Sequence, residues 1–547
     1  MKKIPFDMQT FKKIIEGGYV YVDKTRFVYK MASTGKAYFL SRPSSFGKSL
    51  LLSTFESLFS GPPDPDGPPQ GLFRDLWIGR SDYDFSQKFP VVTLDMNLES
   101  GTPEKLRNDI EGVICHAAFL HGLDVEAASL GGLLVRLFKS LKEKYNSNIV
   151  LLIDDYDSVI NYNIENSRHP QKLLTILKNF YSKLKSCDKY LRFIFVTGTT
   201  YYGFPGLSAG LNSLNDITFD PDYNNICCFT EFELENCFKN YMPIVLEKMK
   251  TNGAIVNDAS VSDLLAQIKE YFSGYSWGGE DKVLNPYSIL KCLERSDFSN
   301  YWFKTYPPIT FLMDFIDENN DNPFSLLDTK FDYHSQKTLG FTGFGSHQTV
   351  PGLFQTGYLT VDRSISDPSE GRLFSLRIPN WEVQDSIYEF FTDELYWKLG
   401  RSPQEERDAF MGAVRERDSD RLTKIISSVF DALPAAHHGD SESWYHRVLY
   451  AYCRQFGRTF LPEAPGTVGT SDLAIVFPGL FVVIEVEFSA GSKSSGQGKL
   501  LEKIAKKALK AIDAKEHWRP YRGYSKEFVG IGLGVTLGGQ CQALIGG

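Results

Sequence analysis

The fold is decided by Tyr38-Phe-Leu-Ser-Arg-Pro-Ser-Ser-Phe-Gly-Lys-Ser-Leu-Leu51, where an apolar segment runs into a loop ending in Gly47-Lys48-Ser49 and then into a helical pattern. Backbone N–H groups in such a loop and at a helix N-terminus attract anions. Lys48 would contact the β and γ phosphates of a nucleotide, and the Ser49 hydroxyl would bind Mg²⁺. The sequence therefore predicts a phosphate-binding loop, although Arg42 stands where the full pattern has its first glycine.

The residues after this loop have the spacing of a helix with one apolar face. Apolar side chains recur at Leu50, Leu51, Phe55, Leu58 and Phe59. A Gly-Lys-Ser tripeptide alone also occurs in surface turns. The apolar strand before it and the helix after it favour the phosphate-binding interpretation.

Two later strands end in polar side chains. The run Asn148-Ile-Val-Leu-Leu-Ile-Asp-Asp-Tyr-Asp157 ends its apolar part at Asp154 and Asp155, and a second apolar strand ends at Thr197. In a nucleotide site, Asp154 would hold Mg²⁺ through water, Asp155 would polarise the attacking water, and Thr197 would sense the γ phosphate. Strands also end in Asp or Thr because these residues suit turns, so each residue alone leaves both interpretations open.

Taken together, these motifs resemble a family in which an AAA-ATPase-like domain is fused to a C-terminal PD-(D/E)XK nuclease-like domain. The resemblance runs through most of the chain. It is carried by Tyr21-Val-Asp-Lys-Thr25, Arg42-Pro-Ser-Ser-Phe-Gly-Lys-Ser49, Asp154-Asp-Tyr-Asp157, Thr197-Gly198, Phe229-Thr-Glu-Phe-Glu-Leu234, Asn285-Pro-Tyr-Ser288, Tyr301-Trp-Phe303 and Phe354-Gln-Thr-Gly-Tyr-Leu359.

The resemblance implies that the nucleotide is ATP and that an Arg-Pro opening of the loop is usual. It assigns nucleotide binding to Arg42, Pro43, Ser44, Ser45, Phe46, Gly47, Lys48, Ser49 and Thr197, and Mg²⁺ binding to Ser49 and Asp154. The family usually has Asp-Glu where this chain has Asp154-Asp155. The shorter side chain draws the catalytic carboxylate back from the water, so we expect ATP binding and leave hydrolysis open. Tyr21, Asp23 and Lys24 either approach the nucleotide or form a structural turn.

A second group of acids occurs near the C-terminus. Asp472 begins one predicted strand, and Glu485-Val-Glu487 ends the next. This spacing fits a nuclease hairpin that collects carboxylates around Mg²⁺, but it also fits a hairpin with exposed acids. In its position along the chain it resembles the PD-(D/E)XK core, whose usual form is Asp followed by Glu-x-Lys.

That resemblance implies Asp472, Glu485 and Glu487 as catalytic residues, with Asp472 and Glu485 as Mg²⁺ ligands. Glu487 occupies the position of the usual lysine, which would orient the attacking water. Thr470 and Ala511 also depart from the family pattern, and Glu463 matches an upstream acid. The nuclease is therefore either active without its lysine or degenerate.

The C-terminal region also contains a lysine-rich amphipathic helix. Its apolar side is predicted from Leu501, Ile504, Ala505, Ala508 and Ile512, and the lysines opposite are Lys499, Lys503, Lys506, Lys507 and Lys510. These lysines would follow a phosphate backbone, or they form a solvated helix face.

Length, composition and charge set outer bounds. A chain of 547 residues predicts about three domains, and the net charge of −8 disfavours a protein coated in nucleic acid. We place an AAA-like P-loop ATPase domain at 1–238, a helical accessory domain at 239–400 and a PD-(D/E)XK-like domain at 401–547, all within an α/β fold class built on a parallel sheet. No signal peptide or membrane span is predicted, so we expect an intracellular protein, cytoplasmic or nuclear.

Three functions stay open at this point. The first is an ATP-binding or ATP-hydrolysing protein coupled to a Mg²⁺-dependent nuclease acting on DNA or RNA. The second is an ATP-gated regulatory or nucleic-acid-binding protein with a degenerate nuclease domain. The third is a toxin or effector of the same architecture. A homo-oligomer is compatible with each of them.

Overall fold

The structure is a computed structural model that describes residues 1–60, 71–166, 170–200, 214–255, 257–278, 281–302, 331–336, 338–340, 349–433, 441–460, 472–490, 497–519 and 527–546. The prolines and glycines of Gly61–Pro69 predict a surface loop. That run and the residues Glu463 and Thr470 lie outside these ranges. The described residues fall into two compact units, the first made of those up to Asn380 and the second of those from Trp381 onward. The three-domain division stays a prediction.

A five-stranded parallel sheet forms the centre of the first unit. Its strands are β1 (Ala37–Ser41), β2 (Val91–Asp95), β3 (Ile149–Asp154), β4 (Leu191–Gly198) and β5 (Asn215–Asp216), in the order β2-β3-β4-β1-β5. The apolar runs at 37–40, 91–95, 149–153 and 193–196 predict the first four strands. Strands β1, β3 and β4 are buried along almost their whole length because helices cover both faces of a parallel sheet, whereas β2 buries only Val92 and Leu94. The α/β class and the parallel sheet are therefore confirmed.

The first unit contains thirteen described helices. The helices up to β5 are α1 (Phe11–Glu16), α2 (Thr25–Thr34), α3 (Lys48–Phe59), α4 (Pro103–Leu120), α5 (Leu130–Tyr145), α6 (Ser158–Asn166), α7 (Pro170–Ser182) and α8 (Leu184–Cys187). Those after β5 are α9 (Glu231–Cys237), α10 (Met242–Thr251), α11 (Val261–Phe272), α12 (Pro286–Arg295) and α13 (Thr349–Thr356). The apolar faces of α4, α5 and α7 pack with β2 and β3 in one core.

The later part of this unit contains more β structure than the sequence predicted. Beyond the two-stranded β6 (Ser273–Tyr275) and β7 (Val283–Leu284), an antiparallel sheet has the order β8-β10-β9. Its strands are β8 (Phe331–Ser335), β9 (Thr360–Asp367) and β10 (Gly371–Arg377). The sequence of this region predicts helices with one small β element near 357–361. The further strands were not predicted, because β9 has many polar residues and no long apolar run.

The second unit packs helices on a mixed sheet. Its helices are α14 (Trp381–Leu399), α15 (Pro403–Glu416), α16 (Ser419–Asp431), α17 (Glu442–Cys453) and α18 (Gln497–Ala514). Its strands, in spatial order, are β11 (Arg458–Phe460), β12 (Leu473–Phe477), β13 (Leu480–Ser489), β14 (Glu527–Thr536) and β15 (Cys541–Gly546). Only β13 and β14 pair in parallel, and α18 connects them.

Helix α18 lies directly on β14 at two glycines. A side chain at Gly532 would overlap the Ala505 carbonyl oxygen and the Leu509 amide nitrogen, and Gly534 has similar neighbours on the same helix. Close contact of helix and strand backbones therefore requires glycine in β14. Among the described residues, no helix is long and apolar enough to cross a membrane.

We expect Gly532→Ala to lower the stability of the second unit by about 1–3 kcal/mol, since the added methyl must push α18 away from the sheet. Hydrogen exchange should become faster in α18 and β14 and stay unchanged in β1–β4. The control is Gly498→Ala on the same helix, where an added Cβ meets nothing within 4 Å. Equal exchange rates in the two variants would contradict the proposed close contact.

Candidate functional site

The loop between β1 and α3 has the backbone of an anion-binding turn. Gly47 has φ +93° and Ser45 has φ +66°, so two residues adopt the left-handed conformation. A Cβ at Gly47 would lie 3.1 Å from the Cys227 carbonyl oxygen. No side chain caps the N-terminus of α3, which leaves its first amides available to an acceptor. This arrangement fits a phosphate group.

The Lys48 ammonium group is buried inside this loop. Only 6% of the residue is exposed, and Nζ donates to the carbonyl oxygens of Arg42 at 2.9 Å and Pro43 at 3.1 Å. Both acceptors are neutral, so these hydrogen bonds do not cancel the positive charge. A buried cation with neutral partners favours the binding of an anion.

The predicted acids and the threonine meet at the same edge of the sheet as this loop. The Thr197 hydroxyl donates to Asp154 Oδ1 at 2.5 Å, across the β3–β4 boundary. In the β1–β4 pairing, Leu40 lies opposite Thr197, so the loop begins beside this pair. Thr197 thus fixes one oxygen of Asp154, and the other oxygen is the candidate water or metal contact.

Asp155 is the acid whose protonation is most perturbed. Burial raises its pKa to about 6, opposed by the Lys48 ammonium and assisted by the neighbouring Asp154, Asp157 and Asp95 carboxylates. Its φ is +47°, in the left-handed region that Asp and Asn tolerate better than longer residues. This backbone gives a physical reason for an aspartate where the resembling family usually has glutamate.

Asp157 has a structural role that the sequence did not reveal. It is 1% exposed and accepts hydrogen bonds from the amides of Thr199 at 3.2 Å and Thr200 at 2.6 Å. It also accepts one from the Asn161 side chain at 2.9 Å. It therefore ties the turn after β3 to the segment after β4, next to Asp155. Thr199 and Thr200 lie far from Asp157 along the chain, so the spacing of residues in the sequence could not identify this role.

A cavity of about 540 Å³ opens beside the loop. Its polar lining includes Ser44, Ser45, Gly47, Lys48, Ser49, Asn97 and Asp155. Apolar side chains complete the lining, among them Val20, Val22, Phe229, Phe238 and Leu290. A pocket with a polar phosphate-binding part and an apolar part is suited to a nucleoside phosphate.

The predicted nucleotide-binding residues divide into two groups. Five of them line the cavity: Ser44, Ser45, Gly47, Lys48 and Ser49. Arg42 is fully buried elsewhere, with its guanidinium donating to the carbonyls of Ser41, Thr218 and Tyr223 and lying 4.0 Å from the centre of the Trp277 ring.

Burial lowers the pKa of Arg42, and Phe46 packs edge-on against Tyr275 and Trp277. The Pro43 ring faces Gly357, where an added Cβ would come within 3.2 Å of it. These three residues therefore shape the loop, and their side chains are absent from the described cavity lining.

The segment before α2 contributes Val20, Tyr21, Val22 and Lys24 to the cavity, and two of these, Tyr21 and Lys24, are polar. The Tyr21 hydroxyl lies 3.4 Å from Thr54 Oγ1, and burial raises its pKa strongly. Asp23 instead accepts hydrogen bonds from the Thr25 amide at 2.9 Å and the Trp77 amide at 2.6 Å. Of the two interpretations, the structural one applies to Asp23.

In the second unit, Asp472 and Glu485 lie close together at the β12–β13 hairpin. Asp472 Oδ2 accepts the Val486 amide at 2.7 Å. His446 Nε2, on α17, is 3.3 Å from the same oxygen, outside hydrogen-bond geometry. Glu485 is 7% exposed, and its Oε2 lies 2.9 Å from His517 Nδ1. Burial and the Asp472 charge raise the pKa of Glu485, although His517 opposes that rise.

Glu487 pairs with a lysine and not with Asp472 or Glu485. Its carboxylate forms an ion pair with Lys507 on α18, while Lys506 pairs with Glu502 at 2.5 Å. The two histidines were missed by the sequence analysis because each lies far along the chain from the acid it approaches; His517 and Glu485 are 32 residues apart. Within the described ranges, no three His, Cys, Asp or Glu side chains are arranged to hold a metal ion. The Mg²⁺ assignments to Asp472 and Glu485, and to Ser49 and Asp154, stay predictions.

Comparison with known proteins bears on the first unit. Residues 5–206 match the family model described as "AAA-ATPase_like: Predicted AAA-ATPase". This part of the chain is similar to members of that family. The matched region contains the Lys48 loop, β3 with Asp154, the adjoining Asp155, and β4 with Thr197. The match supports nucleotide binding there and ends before the second unit.

The other similar proteins are one relative of low sequence identity and two solved structures with low TM-scores. The chain is 28% identical over 494 residues to an uncharacterised protein in the vnfD 5′ region of Azotobacter chroococcum mcd 1, covering 88% of this chain and 89% of that protein. Two structures of Drosophila ORC with Cdc6, one bound to GC-rich and one to AT-rich DNA, have TM-scores of 0.20 and 0.19 at 11% and 13% identity. Each covers 52% of this chain and 93% of the matched chain, and such TM-scores establish no shared fold.

We expect Asp155→Asn to stabilise the first unit at pH 8 by about 1 kcal/mol or more. Between about pH 4 and 6 the Asp155 carboxyl keeps its proton in the folded chain but has lost it in the unfolded chain, because its pKa is raised on folding. The folded state therefore loses stability as the pH rises through this range. Asparagine keeps the left-handed backbone. Thermal unfolding of wild type and variant at pH 4, 6 and 8 measures the difference.

The control for this experiment is Asp188→Asn, which removes a surface ion pair with Lys36. It should change the midpoint little at any of the three pH values. A stabilisation by Asp155→Asn that is the same at pH 4 and pH 8 would contradict the raised pKa.

Proposed function

We propose that the first unit binds ATP with Mg²⁺, with the phosphates against the N-terminus of α3. The observation that carries the proposal is the buried Lys48 ammonium, held only by neutral carbonyls in a left-handed loop that leads into an uncapped helix. The match of residues 5–206 to an AAA-ATPase-like model supports it. Ser49 and Asp154 would hold Mg²⁺, which when bound offsets the negative charge of the phosphates.

We further propose that the bound ATP is hydrolysed with Asp155 as the base. A carboxyl with a pKa of about 6 is mostly ionised at neutral pH and can accept a proton from water. Asp157 fixes the turn that presents it, and Thr197 fixes Asp154 beside it. Both contacts reduce the freedom of the acids relative to the Lys48 loop, and positional precision governs how well a base works.

We expect Lys48→Met to weaken binding of Mg²⁺-ATP by roughly a hundredfold, since the buried cation is lost while the side-chain length is kept. Isothermal titration of the full chain measures the affinity. The control is Lys36→Met, just before β1, whose ammonium pairs with Asp188 on the surface. Equal affinities of Lys48→Met and Lys36→Met would refute the site.

A second candidate function concerns the second unit. We propose that Asp472 and Glu485 form a Mg²⁺-dependent phosphodiester-cleaving centre acting on DNA or RNA, because the hairpin brings them together and burial perturbs Glu485. The pairing of Glu487 with Lys507 favours the alternative of a degenerate, nucleic-acid-binding or regulatory unit. A toxin or effector is compatible with either.

Cleavage assays decide between these alternatives. If the centre is active, Asp472→Asn and Glu485→Gln should each reduce Mg²⁺-dependent cleavage of DNA or RNA by about a hundredfold or more. Glu516→Gln, at an exposed ion pair with Arg519, is the control and should cleave as wild type does. If wild type cleaves and all three variants cleave equally well, Asp472 and Glu485 are not the cleavage centre. Tight ATP binding without any cleavage by wild type would favour the degenerate unit.

A further inference from the structure

A second lysine lies on the wall of the nucleotide cavity. Lys24 lines the same cavity as Lys48, and only 7% of the residue is exposed. Its ammonium donates to both carboxylate oxygens of Glu233, each at 2.7 Å. The two residues are 209 positions apart, so the pair joins the segment before α2 to the first turn of α9.

The two lysines act on one part of the cavity. Burial raises the pKa of the Cys227 thiol to about 11, and the charges of Arg42, Lys48 and Lys24 oppose that rise. Cys227 itself lines the cavity, and its carbonyl lies beside Gly47 of the loop. Lys24 and Lys48 therefore line one cavity together with Cys227, the residue whose carbonyl lies beside the loop.

The Lys24–Glu233 pair is a poor source of stability. Removing two charges from water costs about as much as their attraction returns, so buried ion pairs contribute little net free energy to folding. A lysine ammonium is also a compact charge that binds phosphate as readily as carboxylate. The pair thus holds a cation beside a cavity suited to phosphates.

Glu233 would keep a partner if Lys24 left it. Its Oε2 also accepts the Thr230 amide at 2.8 Å, and the Thr230 side chain accepts the Glu233 amide at 3.1 Å in a capping box. The carboxylate therefore stays hydrogen-bonded at the start of α9 without the lysine. This lowers the cost of transferring Lys24 to another anion, because no buried carboxylate is left unsatisfied.

We propose that Lys24 is a second phosphate-binding cation of the Lys48 site and that Glu233 competes with the nucleotide for it. The proposal rests on the proposed binding of ATP in this cavity. ATP brings several negative charges, and Lys48 together with Mg²⁺ would offset only part of them. Transfer of Lys24 from Glu233 to the phosphates supplies a second one. Glu233 thereby limits the affinity for ATP and links nucleotide binding to α9.

The test uses two variants with opposite expected effects. Lys24→Met should weaken the binding of Mg²⁺-ATP to the full chain by roughly tenfold, because a charged hydrogen bond is lost. Glu233→Gln should strengthen binding several-fold, because it frees Lys24, while glutamine at this position still completes the capping box. Isothermal titration gives both affinities, and thermal unfolding confirms that each variant is folded.

Two further variants separate this inference from the function on which it rests. Lys269→Met removes the ion pairs that Lys269 forms with Glu231 and Glu235, which lie on α9 as Glu233 does. This variant should leave the affinity for Mg²⁺-ATP unchanged. Lys48→Met tests the site itself. A wild-type chain that does not bind ATP overturns both proposals. Suppose that wild type binds ATP and Lys48→Met does not. If Lys24→Met and Glu233→Gln then weaken ATP binding equally, the pair is structural and this inference alone is overturned. It is also overturned if neither variant changes the affinity.

Discussion

Parallel pairing of β4 with both β1 and β3 determines which residues meet at the candidate nucleotide site. Val196 lies opposite Phe39 on one side and Ile153 on the other, so the ends of the three strands are aligned. This register brings the Lys48 loop, Thr197 and Asp154 to one sheet edge. A shift by one residue would turn each side chain to the opposite face and separate Thr197 from Asp154. The cavity and its charges depend on that alignment.

Electrostatics distinguish the acids of the two units. In the first unit, Asp155 is buried near the Lys48 ammonium group, and its raised pKa is the result of burial opposed by that charge. In the second, Glu485 has His517 and Glu487 has Lys507 as close partners. Paired acids have less capacity to collect a cation or a water molecule than acids facing an open cavity. The first unit is therefore the better-founded site.

The parts of this account that the sequence could predict are local in the chain. Apolar runs predicted four strands of the parallel sheet, and the Gly-Lys-Ser loop with its helix predicted the position of Lys48. The roles of Arg42, Asp157 and Lys24 could not be predicted, because their partners are carbonyls, amides and a carboxylate brought together by tertiary packing. The same reason applies to His517, which meets Glu485 across 32 residues. The extra antiparallel sheet was missed because β9 exposes many polar residues and lacks a long apolar run.

A crystal structure of the full chain with a non-hydrolysable ATP analogue and Mg²⁺ would test the central claim most directly. The account predicts phosphates against the first turn of α3, with Lys48 Nζ transferred from the carbonyls of Arg42 and Pro43 to a phosphate oxygen and with Asp154 facing the metal. An analogue bound elsewhere, with Lys48 still hydrogen-bonded to both carbonyls, would contradict it.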